Sequence, residues 1–137
     1  MLHEKISNWL SEYLESSKQR CFVVGISGGI DSALVSTLCA NTSVKTIVIS
    51  MPIHQAPDQL ERAHNRINWL KSKYSNVESL EFDLTNTFET FKSLFEVENK
   101  LALANSRSRL RMITLYQIAT TNKGLVVGTG NKVEDFG

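Results

Sequence analysis

From Val23 to Leu34 the chain reads VVGISGGIDSAL, a β-branched apolar run that passes through three glycines into a helix-like run. This junction constrains the fold more than any other feature. CFVVGI (Cys21–Ile26) is apolar on both faces, as a parallel strand covered by helices on both sides must be. A glycine-rich turn leaving such a strand exposes several backbone N–H groups in one direction. The helix that follows adds the positive potential of its N-terminus, and together they suit a phosphate.

The rest of the chain supplies a matching framework. Leu2, Ile6, Trp9, Leu10, Tyr13 and Leu14 recur at helical spacing and predict an opening amphipathic helix. A helix is expected over Ser32–Ala40, a strand over Val44–Ser50, and a helix over Ala56–Tyr74 with Leu60, Ala63, Ile67, Leu70 and Tyr74 on one face. Val77–Phe82 reads as a third strand. Phe88, Phe91 and Phe95 suggest a short helix, and a longer one is expected over Glu98–Thr121. Asn122–Gly124 stops it, and Leu125–Thr129 is a fourth strand. Strands alternating with helices predict an α/β domain of three layers around a mostly parallel sheet. Right-handed crossovers then align the strand C-termini along one edge, where ligands bind. The 137 residues are read as a single domain, long enough to bury about two-thirds of its unfolded surface.

Composition narrows the partners. A net charge of +1 gives no field to draw in nucleic acid or an anionic membrane. No apolar run approaches the ~20 residues of a membrane span. MLHEKISNWL at the start lacks the apolar core of a signal peptide, and a cytoplasmic protein is expected. Cys21 and Cys39 form no C-x-x-C and read as buried, reduced thiols. His3, His54 and His64 lack zinc-ligand spacing.

All seven glycines fall in two stretches: Gly25, Gly28 and Gly29 after the first strand, and Gly124, Gly128, Gly130 and Gly137 around the fourth. Gly124 reads as a helix stop. The others crowd the C-terminal ends of two strands, where glycine permits positive φ or a close approach of backbone to a ligand. Ser27 and Ser32 add hydroxyl donors. Asp31 would repel a phosphate unless a divalent cation lies between them, and magnesium commonly takes one or two carboxylates plus phosphate oxygens. Glu134, just past the second glycine group, is the natural second carboxylate. The simpler reading of Asp31 is a first-turn acid favoured by the helix dipole. GISGG formally matches the G-x-S-x-G elbow of hydrolases, but only one helix precedes it where that elbow needs strands and an oxyanion loop. SGGIDS lacks the G-K-[ST] ending of a P-loop, and GTGNKV lacks the third glycine of a dinucleotide fingerprint.

SGGIDS (Ser27–Ser32) resembles the pyrophosphate loop of the ATP pyrophosphatase superfamily, whose members cleave ATP between its α- and β-phosphates and adenylate a substrate. ANSRSRLRM (Ala104–Met112) and VVGTGNKVEDFG (Val126–Gly137) are similar to the matching stretches of the NAD synthetase family. MPIHQAPDQLERA is a looser match. The resemblance covers essentially the whole chain in order and implies the Rossmann-like adenine nucleotide α-hydrolase-like fold. It implies that Gly25, Ile26, Ser27, Gly28, Gly29, Ile30, Asp31 and Ser32 hold ATP phosphates, that Thr129 contacts ATP, that Asp31 and Glu134 bind Mg2+, and that Arg109 contacts deamido-NAD. The implied reaction is ATP-dependent amidation of deamido-NAD to NAD through an acyl-adenylate, releasing AMP and pyrophosphate, with no protein nucleophile. The resemblance is to the synthetase region alone, so no glutaminase domain is expected and free ammonia is the expected nitrogen source, and a homodimer is implied, as in the relatives. NAD synthetases continue past the point matching Gly137 with a lysine-bearing KYGDGG-type segment, so the chain is expected to be the N-terminal part of such an enzyme. A GMP-synthetase-type ligase and a non-catalytic nucleotide-binding fragment are the competing readings. Within RSRLR, Arg107 and Arg111 share a helix face at i and i+4 while Arg109 points roughly opposite, so Arg109 should meet a different environment.

Overall fold

The computed structural model describes residues 2–128. Its elements in order are α1 (Leu2–Ser17), β1 (Cys21–Ile26), α2 (Ile30–Ala40), β2 (Thr46–Ser50), α3 (Pro57–Lys73), β3 (Val77–Glu81), α4 (Thr85–Lys92), α5 (Lys100–Asn122) and β4 (Gly124–Val126). The strands form one parallel sheet in the order β3-β2-β1-β4. Among the described residues no helix is long and apolar enough to cross a membrane.

Alternation along the central strands fills two cores. Cys21 and Val23 of β1 and Ile47 and Ile49 of β2 point to one face, where they pack with Phe88 of α4 and Leu115 and Ala119 of α5. Val48 and Ile26 point to the other face, against Ala63, Ile67 and Leu70 of α3. Phe22 and Val24 share that face with Leu10 and Leu14 of α1 and Cys39 of α2. The three-layer expectation is met, with α1, α2 and α3 on one side and α4 and α5 on the other. Both cysteines are free and buried, as expected. The buried Ser7 donates to the Leu38 carbonyl at 3.1 Å and ties α1 to α2.

Four expectations are corrected. The apolar stripe of α1 is wider than its buried face: Leu10 and Leu14 are buried, whereas Leu2, Trp9 and Tyr13 stay exposed. The short phenylalanine helix ends at Lys92, so Phe95 lies beyond it, packed edge-on against the Phe91 ring, and only Phe88 enters the core. Gly124 does not stop α5. Lys123 takes the left-handed conformation (φ 54°) and donates its N–H to the Ala119 carbonyl, while Gly124 already pairs with Cys21 as the first residue of β4. Glycine is needed at that position for room, because a Cβ would stand 2.8 Å from Val23 Cγ2 and 2.9 Å from Cys21 Sγ. The fourth correction concerns φ. None of the described glycines adopts the positive-φ conformation; the residues that do are Lys18, Ser43, His54 and Lys123.

The chain leaves β1 through α2 on one face, and returns from β3 through α4 and α5 on the other to place β4 on the opposite side of β1. The C-terminal ends of β1 and β4 therefore flank a topological switch point, where the two connections diverge and leave a crevice.

Candidate functional site

The crevice is present. Its wall is built from the end of β1 (Gly25–Gly28), the end of β2 (Ser50–Pro52), the first turns of α3, the middle of α5 and the end of β4 (Val126–Gly128). Met51, Leu60, Met112 and Leu115 make part of it apolar. Ser27, Gln55, Gln59 and Arg111 supply polar groups. An apolar slot with a few placed polar groups is the ordinary form of a small-molecule site.

The turn at the end of β1 is braced by one hydroxyl. Ser32 is 4% exposed. Its Oγ accepts from the Ser27 N–H at 3.0 Å and lies 3.2 Å from both the Ser27 and Gly29 carbonyl oxygens, to either of which it can donate. Ser27 Oγ lies 3.2 Å from Ser32 Oγ and accepts from the Gly29 N–H at 3.2 Å. The Ser32 hydroxyl therefore shapes the turn, and the exposed Ser27 hydroxyl is the one at the rim. Gly28 lets the turn lie against α3: a Cβ there would stand 3.0 Å from the Gln59 carbonyl oxygen. Gly29 is the N-cap of α2 in extended conformation and has no side chain to cap the helix. The first backbone N–H groups of α2, at Ile30, Asp31 and Ser32, thus have no acceptor within the helix. They combine with the helix dipole to favour an anion at this end.

Asp31 sits in the first turn of α2, exposed, beside that anion-binding end but off the crevice wall. Ile30 is exposed as well. Thr129 and Glu134 lie outside the described residues. Among the described residues, no cluster of three or more His, Cys, Asp or Glu side chains is gathered to hold a metal. No histidine lines the crevice, so Ser27 has no imidazole base there, and the hydrolase elbow finds no support.

The three arginines of α5 divide as their spacing predicts. Arg109 is exposed and off the crevice. Arg107 lies over the Phe88 ring, 5.4 Å from its centroid. Arg111 lines the crevice, where its Nε donates to the Met51 carbonyl at 2.9 Å and its Nη2 to Gln55 Oε1 at 3.3 Å. Burial, with Arg107 one turn away, pushes its pKa below the usual guanidinium value. Sequence reasoning gave Arg111 no role, although the i, i+4 relation already separated it from Arg109. Gln55 and Gln59, joined by a 2.6 Å hydrogen bond, were also missed, since a lone glutamine ahead of a helix and another in its first turn carry no signal.

Comparison with known proteins agrees with this geometry. The profile of the NAD synthase family matches residues 2–136. The NH3-dependent NAD+ synthetase of Carboxydothermus hydrogenoformans is 40% identical over 133 residues, which is 96% of this chain and 54% of that protein. The corresponding enzyme of Malacoplasma penetrans is 38% identical over 96% of this chain and 52% of its own length. The NH3-dependent NAD synthetase of Campylobacter jejuni, solved in complex with a nitrate ion, superposes with a TM-score of 0.84 at 31% identity, covering 95% of this chain and 56% of that one. An NMN synthetase from Francisella tularensis superposes with a TM-score of 0.85 at 30% identity, over 94% of this chain and 53% of that one. The chain spans about half the length of the curated relatives it matches. The family match over residues 2–136, the similar sequences and the shared three-layer fold around a parallel sheet show that the chain belongs to the NAD synthase family.

Proposed function

We propose that this chain carries the ATP-binding part of an ammonia-dependent NAD synthetase, which converts deamido-NAD to NAD. The observation that carries the reading is the uncapped start of α2, held by Ser32 beside a crevice with an apolar slot. The slot suits a nucleobase, and the N–H groups at Ile30 and Asp31 suit the phosphates of ATP. In the first step a carboxylate oxygen of the nicotinate attacks the α-phosphorus, the bond to the bridging oxygen breaks, and pyrophosphate leaves. In the second, ammonia attacks the acyl carbon, the carbon–oxygen bond to AMP breaks, and the nitrogen loses a proton to give the amide. A carboxylate is a poor electrophile, and adenylation turns its oxygen into a leaving group. The turn between Gly25 and Ser32 contributes by stabilising charge that develops on the departing pyrophosphate, because its N–H groups are fixed before reaction.

Asp31 offers one exposed carboxylate oxygen pair at the phosphate end, and Glu134 is the second proposed ligand. That donor set fits magnesium, which keeps several waters and takes one or two carboxylates. When bound there, the ion neutralises phosphate charge. Thr129 is proposed to contact ATP and Arg109 the deamido-NAD. The exposed Leu101, Ile113 and Tyr116 on α5 support a homodimer, and buried reduced thiols suit a cytoplasmic protein.

The test supplies the protein with ATP, magnesium, ammonium and one acceptor at a time, and measures AMP, pyrophosphate and amide product. Deamido-NAD is expected to give AMP and NAD in equal amounts. Nicotinate mononucleotide is included because one similar structure is an NMN synthetase. AMP release only with the acceptor of a GMP-synthetase-type reaction would reassign the substrate. ATP binding without pyrophosphate release, whatever the acceptor, would leave a nucleotide-binding module.

A further inference from the structure

We infer that Arg111 is the oxyanion anchor of the crevice, binding either a phosphate of the nucleotide or the carboxylate of the acid substrate. The inference rests on the crevice being the nucleotide site. Arg111 is a cation on the crevice wall with no carboxylate partner among the described residues. Its neutral acceptors, the Met51 carbonyl and Gln55 Oε1, occupy Nε and Nη2, and Nη1 has no partner there. A half-buried guanidinium normally pairs with an acid, because leaving a charge desolvated and uncompensated is costly. Here the nearest charged neighbour on its own helix face is another cation, Arg107, which is engaged with the Phe88 ring.

The two bonds that Arg111 does make fix its direction. Met51 follows β2 and Gln55 precedes α3, so the side chain spans from α5 to the β2–α3 connection across the crevice. A guanidinium held at Nε and Nη2 is pre-organised, and its planar fork matches an oxyanion better than an ammonium would. The sequence resemblance gives the substrate contact to Arg109, but that side chain lies off this crevice, so among the described residues the cation within it is Arg111.

Pairs of ligands with and without the anionic group in question, the triphosphate in one pair and the nicotinate carboxylate in the other, test this. ATP is compared with adenosine, and deamido-NAD with NAD, by titration calorimetry on the parent chain, R111Q and R111K. R111Q is expected to lose at least tenfold in affinity for the member of one pair that carries the distinguishing anionic group, while the member that lacks that group is unaffected. A loss for ATP identifies a phosphate as the bound group, and a loss for deamido-NAD identifies the carboxylate. R111K is expected to keep part of the preference. Both members of a pair see the same folded fraction, so the ratio survives a partly destabilised variant. Equal losses for both members of each pair would make Arg111 a brace between α5 and β2 and overturn the inference. Unchanged binding in R111Q would overturn it too. If the parent chain binds none of the four ligands, the nucleotide reading fails and this inference with it.

Discussion

The Oγ of Ser32 accepts the backbone N–H of Ser27 at 3.0 Å, so the second hydroxyl of SGGIDS holds the first residue of that motif in place. The turn is thus set by an internal bond before any ligand arrives. Ser32→Ala removes the acceptor and leaves the Ser27 N–H to find another. A cost of about 1–2 kcal/mol in unfolding free energy is expected. Urea titration followed by circular dichroism measures it. A change near zero would mean that the turn is held by packing alone.

Gly28 and Gly29 are adjacent and do different things. A Cβ on Gly28 would press on the Gln59 carbonyl of α3 at 3.0 Å, a backbone atom that cannot swing aside, whereas a Cβ on Gly29 would meet only Ser27 Oγ at an ordinary 3.4 Å. Gly28→Ala is expected to destabilise the fold by about 1–3 kcal/mol, as overpacking does. Gly29→Ala is expected to cost less, about 0.5–1 kcal/mol, because alanine is a poorer N-cap than glycine. It should nonetheless weaken ATP binding, because its methyl would stand where the phosphates approach the start of α2. Paired denaturation and ATP titrations of the two variants check the division. A larger loss of stability in Gly29→Ala than in Gly28→Ala, with unchanged ATP binding, would reverse it.

The central strands and the long helices are legible because their causes are local. Cys21–Ile26 matches β1 residue for residue, since an all-apolar β-branched run has one way to be buried in a covered sheet. The face Ala63, Ile67 and Leu70 is buried as its spacing demands. What escapes the sequence depends on partners far along the chain. Gly124 looks like a helix stop until the side chains of Cys21 and Val23, about a hundred residues earlier, are seen to leave it no room. Arg111 is one of three arginines in a short run until Met51 and Gln55, on another element, fix it in the crevice. The glycines of the turn point to the site from sequence, but the reason is close approach to α3 at Gly28 rather than positive φ.

Cys39 supplies a pH-dependent stability. Burial pushes its thiol pKa up to about 12, against 9.0 for an exposed cysteine. The folded state thus resists ionisation that the unfolded state accepts. Its contribution to stability is fully present below pH 9.0 and is lost as the pH rises from there through about 12. The slope in that window is up to about 1.4 kcal/mol per pH unit. Urea midpoints measured from pH 8 upward should fall more steeply in the parent chain than in Cys39→Ala. Parallel slopes would show that the thiol ionises without unfolding. Below that window, iodoacetamide should label Cys39 only after denaturant is added, because the thiolate is the nucleophile.

Asp31 separates the metal reading from the simple one. As a first-turn acid it would gain from the helix dipole, an effect worth about 0.3–1 kcal/mol of stability and indifferent to magnesium. As a magnesium ligand it would matter to ATP and to turnover instead. Asp31→Asn preserves size and removes the charge. On the proposed function, in a complete enzyme the substitution is expected to reduce turnover at least a hundredfold, ~3 kcal/mol of barrier, and Glu134→Gln should do the same. The loss should also show as a weaker dependence of ATP affinity on magnesium, which a helix-dipole role would leave unchanged. Turnover within about tenfold of the parent at saturating magnesium would remove Asp31 from the metal site. Its place in the first turn of α2 would then be an electrostatic one alone.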